Sequence, residues 1–364
     1  QSCNGGSTCC PSTPYLFTYA GDRYLIESDV MNTYYQHSNM TVKDAQAAYE
    51  TGMQSAEFLS QDIYKMRLQP EVTGGAIRLR IRELEPEESQ LDRVRLVRVV
   101  HSRDSMAFSD NNKIYSAKIT EIKPLSCTDE SNSDCLDQIS SDDMNYLRKD
   151  RGQYIIVRFR LDNSPSNNLL AINSWENDFI PPIVSSPYAE GYSPGGSIRI
   201  SYHNNGAWRA GNDFHPRALK STQYGIAVDS FADSEGFITL KLEWTGLHVV
   251  DKIAIVSIAE QPMKQEELSL ISAQHSQDSD VTSSLLEKDF VYAHTVRGDS
   301  IDLEFDAGKM QPGPGETVDY FFISEGYYHG LRTYLYPDVD TSDSFKAEVN
   351  KYIEELNGYL GVAN

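Results

Sequence analysis

Along most of this chain apolar and polar residues alternate with a period of two, the mark of strands that bury one face. Ile77, Leu79 and Ile81 interleave with Arg78, Arg80 and Arg82, and Ile238, Leu240, Leu242 and Trp244 share one face of Phe237–Trp244. Two such runs, Tyr15–Ala20 and residues 23–28, are separated only by Gly21-Asp22, a two-residue turn whose twist suits a hairpin. Residues 198–202 likewise turn at Asn204-Asn205-Gly206 into Ala207-Trp208-Arg209. Further strands are read over 154–161, 253–258, 290–296, 301–305 and 320–323, and Val94 and Leu96 continue a strand after the turn at Pro86-Glu87-Glu88. Gly, Pro, Asn and Asp punctuate nearly every gap between them.

Helical spacing is rarer. Over 42–59, Val42, Ala45, Tyr49, Met53 and Ala56 form one stripe, with Thr41 as the cap and Asp44 as its partner. A short helix is read over 142–147. At the C-terminus Ser342 or Asp343 caps a helix whose face is Phe345, Val349, Tyr352, Ile353 and Leu356, and Gly358 ends it. Residues 261–288 show the least strand character and read as a long loop with a helical turn near Leu285. The small, polar, proline-bearing segment 163–168 reads as a domain boundary. The expected fold is therefore mostly β, with two β-sandwich-like domains and a few peripheral helices. A Cys-containing tail occupies 1–14, a β-rich domain 15–165 with the inserted helix at 42–59, a β-sandwich domain 166–340, and a C-terminal helix 341–364.

Charge narrows the functional classes. The 53 acidic residues outnumber the 32 basic ones and leave a net charge of −21. Such a chain repels phosphate backbones and anionic lipid, so nucleic acid is not an expected partner. No apolar run reaches the ~18 residues that a spanning helix needs, so no membrane span is expected. The chain opens on Gln1 rather than Met, which reads as removal of a secretory signal and an extracellular or cell-surface location. In that setting cysteines pair, and the five here are an odd count. Cys127 and Cys135 flank the polar stretch Thr-Asp-Glu-Ser-Asn-Ser-Asp, which a disulfide would close. Among Cys3, Cys9 and Cys10 one further bridge leaves one thiol over, and the vicinal pair Cys9-Cys10 is too strained to be favoured. No Cys-x-x-Cys spacing points to a metal cluster.

The motifs that carry chemistry are weak. Gly191-Tyr192-Ser193-Pro194-Gly195 fits the pattern of a nucleophile elbow, but Pro194 supplies no N–H for an oxyanion and a strand follows, so it reads as a turn. Asp338, Asp340 and Asp343 alternate like the first ligands of a calcium loop, and they are the metal candidates here. Against that, the sixth position lacks Gly and Val349 stands where a bidentate Glu belongs, so the same residues also read as an acidic helix N-terminus. Acidic loops near 129–134 and 278–280 are further calcium candidates. The eight histidines show no metal-binding spacing. Asn39-Met40-Thr41 is a glycosylation sequon on Asn39. Of 22 tyrosines, Tyr327, Tyr328, Tyr334 and Tyr336 cluster in a way that suits an interface or sugar stacking.

The stretch Cys10-Pro11, then Tyr15 through Tyr24, resembles the opening of an uncharacterised group of secreted bacterial and archaeal proteins, which carry Cys-Pro and then an aromatic strand ending in Gly. Residues 84–101 resemble the same group, as do Ser272-Ala273-Gln274-His275-Ser276, Asp280-Val281-Thr282, Leu285-Leu286 and Ser324-Glu325-Gly326-Tyr327-Tyr328. The resemblance implies secretion and a β architecture; it assigns no activity, catalytic residue or cofactor. The expected function is an extracellular or cell-surface structural protein that self-assembles into a filament, sheath or layer. A secreted glycan- or ion-binding module is the alternative, and a secreted hydrolase the third reading.

Overall fold

A computed structural model describes residues 14–31, 42–51, 61–83, 87–110, 112–161, 167–176, 197–204, 206–277 and 279–330. Among them the chain is mostly β, and every strand pair is antiparallel. Four sheets form, and they pack in two pairs.

The first sheet orders Arg23–Asp29, Tyr15–Ala20, Ala76–Arg82, Ser300–Asp306, Leu270–His275 and Ser279–Asp280, with Val72–Thr73 beside Ala76–Arg82. The second orders Met263–Leu268, Glu87–Ser102, Glu316–Gly330 and Asp62–Lys65, with Ala293–Val296 also on Glu87–Ser102. Ile77, Leu79, Ile81, Leu303 and Phe305 of the first meet Leu91, Val94, Leu96 and Phe322 of the second in one buried core. The alternation read in the sequence is what makes this face, since Arg78, Arg80 and Arg82 fall on its other side.

The third sheet orders Ser221–Ala227, Asn168–Glu176, His248–Glu260, Ile114–Ile122 and Met106–Ser109, with Leu147–Lys149 on His248–Glu260. The fourth orders Ala207–Phe214, Ile198–Asn204, Phe237–Trp244, Tyr154–Arg160 and Ser126–Asp129. Ile172, Ile253 and Ile255 face Val157, Phe159, Leu240 and Trp244 across the second core. This is sandwich packing of two sheets on one apolar layer.

The second sandwich is inserted into the first. The chain leaves the first sandwich at Ser102 and returns at Met263, and those two strands are direct neighbours, with Met263 opposite His101. A whole sandwich thus stands where a hairpin loop would. The segment at 163–168 does not separate two domains: it joins Tyr154–Arg160 to Asn168–Glu176, which face each other over one core. Sheet pairing divides the chain near 102–106 and 260–263 instead.

Other local expectations are corrected. Within 261–288, Met263–Leu268 and Leu270–His275 are strands, while Ser283–Leu285 forms the expected helical turn. Met263–Leu268 lies at a sheet edge and buries little besides Leu268, so it needs no apolar alternation. Residues 142–147 are not helical: Asp143 takes the Asn145 N–H, Met144 has φ 66°, and Leu147 begins a strand. The helix read over 42–59 is present as Val42–Glu50, followed by a turn at Thr51, while 52–59 lie outside the described residues; a second, short helix is Leu136–Ile139. Neither is long and apolar enough to cross a membrane.

Among the described residues, two apolar seams with an ion pair between the same parts help join the sandwiches. Ala107 and Ile114 pack on Val97, Val99 and Phe321, and Ala218 and Leu219 pack on Tyr15, Phe17 and Ile26. Between them Arg217, buried, donates to Asp62 at 2.6 and 3.1 Å and to the Asp29 carbonyl at 2.9 Å.

Candidate interaction surface

The sequence-predicted sites divide by where they fall. Cys127 and Cys135 are bonded to each other, with Cα atoms 5.0 Å apart, as expected from the loop they flank. Asp129 organises that loop by accepting the Ser131 and Ser133 N–H groups, and Lys149 reaches both Asp129 and Glu130. The oxygens of this acidic loop are thus engaged by protein donors. Among the described residues no three His, Cys, Asp or Glu side chains gather as metal ligands. Cys3, Cys9, Cys10, Asn39, Asp338, Asp340, Asp343, the Gly191–Gly195 motif and the helix at 341–364 lie outside the described residues, as do Tyr334 and Tyr336.

Tyr327 and Tyr328 are described, and both are buried. Tyr327 belongs to an aromatic cluster that its sequence neighbours did not foretell. Its ring lies 5.3 Å from Tyr292 and 6.0 Å from Tyr49, and Tyr49 lies 6.1 Å from Phe290. Tyr49 comes from the helix Val42–Glu50, Tyr327 from the strand Glu316–Gly330, and Phe290 and Tyr292 from the loop that follows Ser283–Leu285. Lys288 Nζ stands 4.4 Å from the Tyr49 ring, within cation–π range.

One buried carboxylate sets this loop. Asp92, on Glu87–Ser102, is fully buried and accepts the Tyr49 hydroxyl at 2.8 Å. Its other oxygen accepts the backbone N–H groups of Asp289 and Phe290 at 3.2 and 2.9 Å. Burial pushes the Asp92 carboxyl up from its ordinary value, and the three hydrogen bonds pull against that. Tyr49 is pushed up too, by burial and then by the Asp92 charge, and Tyr327 is raised to about 12, mainly by burial. Both phenols stay neutral, and Tyr49 donates its proton to Asp92 in a hydrogen bond.

The consequence is at the tip. Phe290 is held at φ 65°, a left-handed backbone that a bulky residue adopts only when its surroundings impose it. Expected as the first residue of a strand, it precedes that strand, which begins at Ala293. Held there, Phe290 remains 43% exposed, Val291 55% and Leu286 50%. Three large apolar side chains within six residues are thus presented to solvent by a braced loop. The sequence signal that would have found it is Asp289, which accepts the Val291 N–H as a turn former. Asp92, some 200 residues away, gave no signal.

No protein-family model matches this chain, and no curated protein matches it.

Proposed function

We propose that this protein is an extracellular or cell-surface structural protein that self-assembles, with the Leu286, Phe290 and Val291 surface as one side of the contact between copies. The observation that carries this reading is the braced, left-handed Phe290 loop, which uses a buried carboxylate to keep apolar groups outside. A monomer with no partner gains nothing from that arrangement. Lys288 beside the patch gives it a positive point, and a second copy of a chain with net charge −21 offers the opposite sign. The Cys127–Cys135 bridge favours an oxidising compartment.

Covering three half-exposed apolar side chains yields about 2–4 kcal/mol. That corresponds to contacts no tighter than about millimolar when taken singly. It suffices for a polymer, where each copy is held at two ends and neighbours raise the effective concentration. Sedimentation velocity and negative-stain microscopy of the whole protein, with and without calcium, test the reading. Higher-order species should form at high concentration and be lost in Phe290→Ser/Val291→Ser. A monodisperse monomer under both conditions overturns it, as does unchanged assembly in the double variant.

A further inference from the structure

Where the last described strand ends bears on what covers the Phe290 surface. Among the described residues, no other stretch of six carries three exposed large apolar side chains, as 286–291 does. The loop is fixed through Asp92 on Glu87–Ser102. Two strands flank Glu87–Ser102 at this end. On one side Ala293 stands opposite Leu91 and His294 opposite Gln90. On the other, Tyr327 stands opposite Gln90 and Gly330 opposite Glu87. Gly330 thus lies five strand positions from Asp92, a distance of about 17 Å. The chain leaves its last described strand beside the apolar loop.

The sequence that follows carries a face suited to it. Over 342–357, Phe345, Val349, Tyr352, Ile353 and Leu356 recur at spacings of four, three, one and three, which is one stripe of a 3.6-residue period. A helix of that length is marginal in water and needs a surface for its stripe. Residues 331–341 tether it to Gly330, and fully extended they span roughly 36 Å, about twice the distance to Asp92. The stripe therefore reaches the patch of its own chain. A second copy competes poorly at low concentration. Such a tether sets an effective concentration of about millimolar, roughly 1,000-fold above that of other copies in a solution at about 1 μM.

We propose that the apolar stripe of residues 342–357 docks on the Leu286, Phe290 and Val291 surface of its own chain and holds the protein back from assembly until copies are concentrated enough to displace it. The restraint on assembly rests on the function proposed above; the docking does not. Photo-cross-linking of the whole protein at about 1 μM tests the docking, with p-benzoylphenylalanine placed at position 353 and the linked peptides mapped by mass spectrometry. The link should fall on residues 286–291 within a single chain, and Phe290→Ser/Val291→Ser should reduce it about 5-fold or more. No link to 286–291, or a link that joins only two chains, overturns the proposal. Sedimentation velocity tests the restraint. A cover closed about nine-tenths of the time lowers the assembly-competent population about 10-fold, so Val349→Ser/Ile353→Ser should assemble at about 5–10-fold lower concentration than the wild type. Assembly that is unchanged or weaker in that variant overturns the restraint, the weaker result because the stripe then bridges copies. If neither protein assembles while the intrachain link is found, the assembly reading fails and the docking stands.

Discussion

Replacing Arg217 with Met should uncouple the two sandwiches. Arg217 belongs to the inserted sandwich, while Asp62 and Asp29 belong to the first, and its guanidinium is 5% exposed against 1% for Asp62. The fork makes two bonds to Asp62 and one to the Asp29 carbonyl, and it lies 5.0 Å from the Tyr64 ring. Methionine fills much of the volume but leaves the Asp62 carboxylate buried without its cation. Breaking such a pair from one side costs about 3–5 kcal/mol, a large part of a domain's stability. The Asp29 carboxyl is already raised by burial, with Arg217 as the main opposing influence, so it should rise further in the variant. The pair has a convenient reporter: Trp175, Trp208 and Trp244 are the only tryptophans, and all lie on strands of the inserted sandwich. In urea, tryptophan fluorescence therefore follows that sandwich alone, and far-ultraviolet dichroism follows both. The two transitions should coincide in the wild type and separate in Arg217→Met, with the midpoint lowered for the earlier one. Arg217→Met/Asp62→Leu, which removes both charges, should recover most of the loss. A loss below about 1 kcal/mol, with coincident transitions in the single variant, would refute the claim that this ion pair locks the junction.

Other outcomes follow from the same structure. Reducing Cys127–Cys135, which are eight positions apart, should cost about 2–3 kcal/mol, read as a shift of the urea midpoint; native thiols already open to alkylation would contradict the bridge. Gly326→Ala should destabilise by about 3 kcal/mol or fail to fold, because Gly326 has φ 153° at a bulge and an added Cβ would meet the Gln90 carbonyl at 2.2 Å; a wild-type melt would be inconsistent with that bulge. The acid limb of stability should depend on Lys149. The Ser133 N–H, helped by Lys149, holds Asp129 below its ordinary value, and Lys149 does the same for Glu130 against the opposing effect of burial. Depressed carboxyls stabilise the fold above their unfolded values near pH 4, and that contribution disappears as pH falls through the lower folded values. Lys149→Met should flatten the melting temperature between about pH 2 and 4, and an unchanged pH profile would exclude this cluster as the source.

Much of this molecule is local, and the local part was legible. Phe237–Trp244 buries every second residue, as its alternation requires, because one face of a sandwich strand is always in the core. The hairpin at Gly21-Asp22 followed from a glycine that adopts φ 68° without a steric cost. Cys127 and Cys135 declared themselves by the short polar loop they close. Interactions settled by distant chain segments left no such trace. Ala76–Arg82 pairs with Ser300–Asp306 across more than two hundred residues, and antiparallel edges carry no label naming their partner. The strand Met263–Leu268 is held by backbone bonds to Glu87–Ser102 with little apolar burial, so composition described it as loop. The insertion at 102–106 and 260–263 depended on that pairing. Nor does any spacing bring Asp92 to Phe290, Arg217 to Asp62, or Lys220 to Asp142 and Asp251. Each is a buried polar contact chosen only after the sheets have stacked. Desolvation then makes an unpaired group costly, and only the folded chain decides which partner stands within reach.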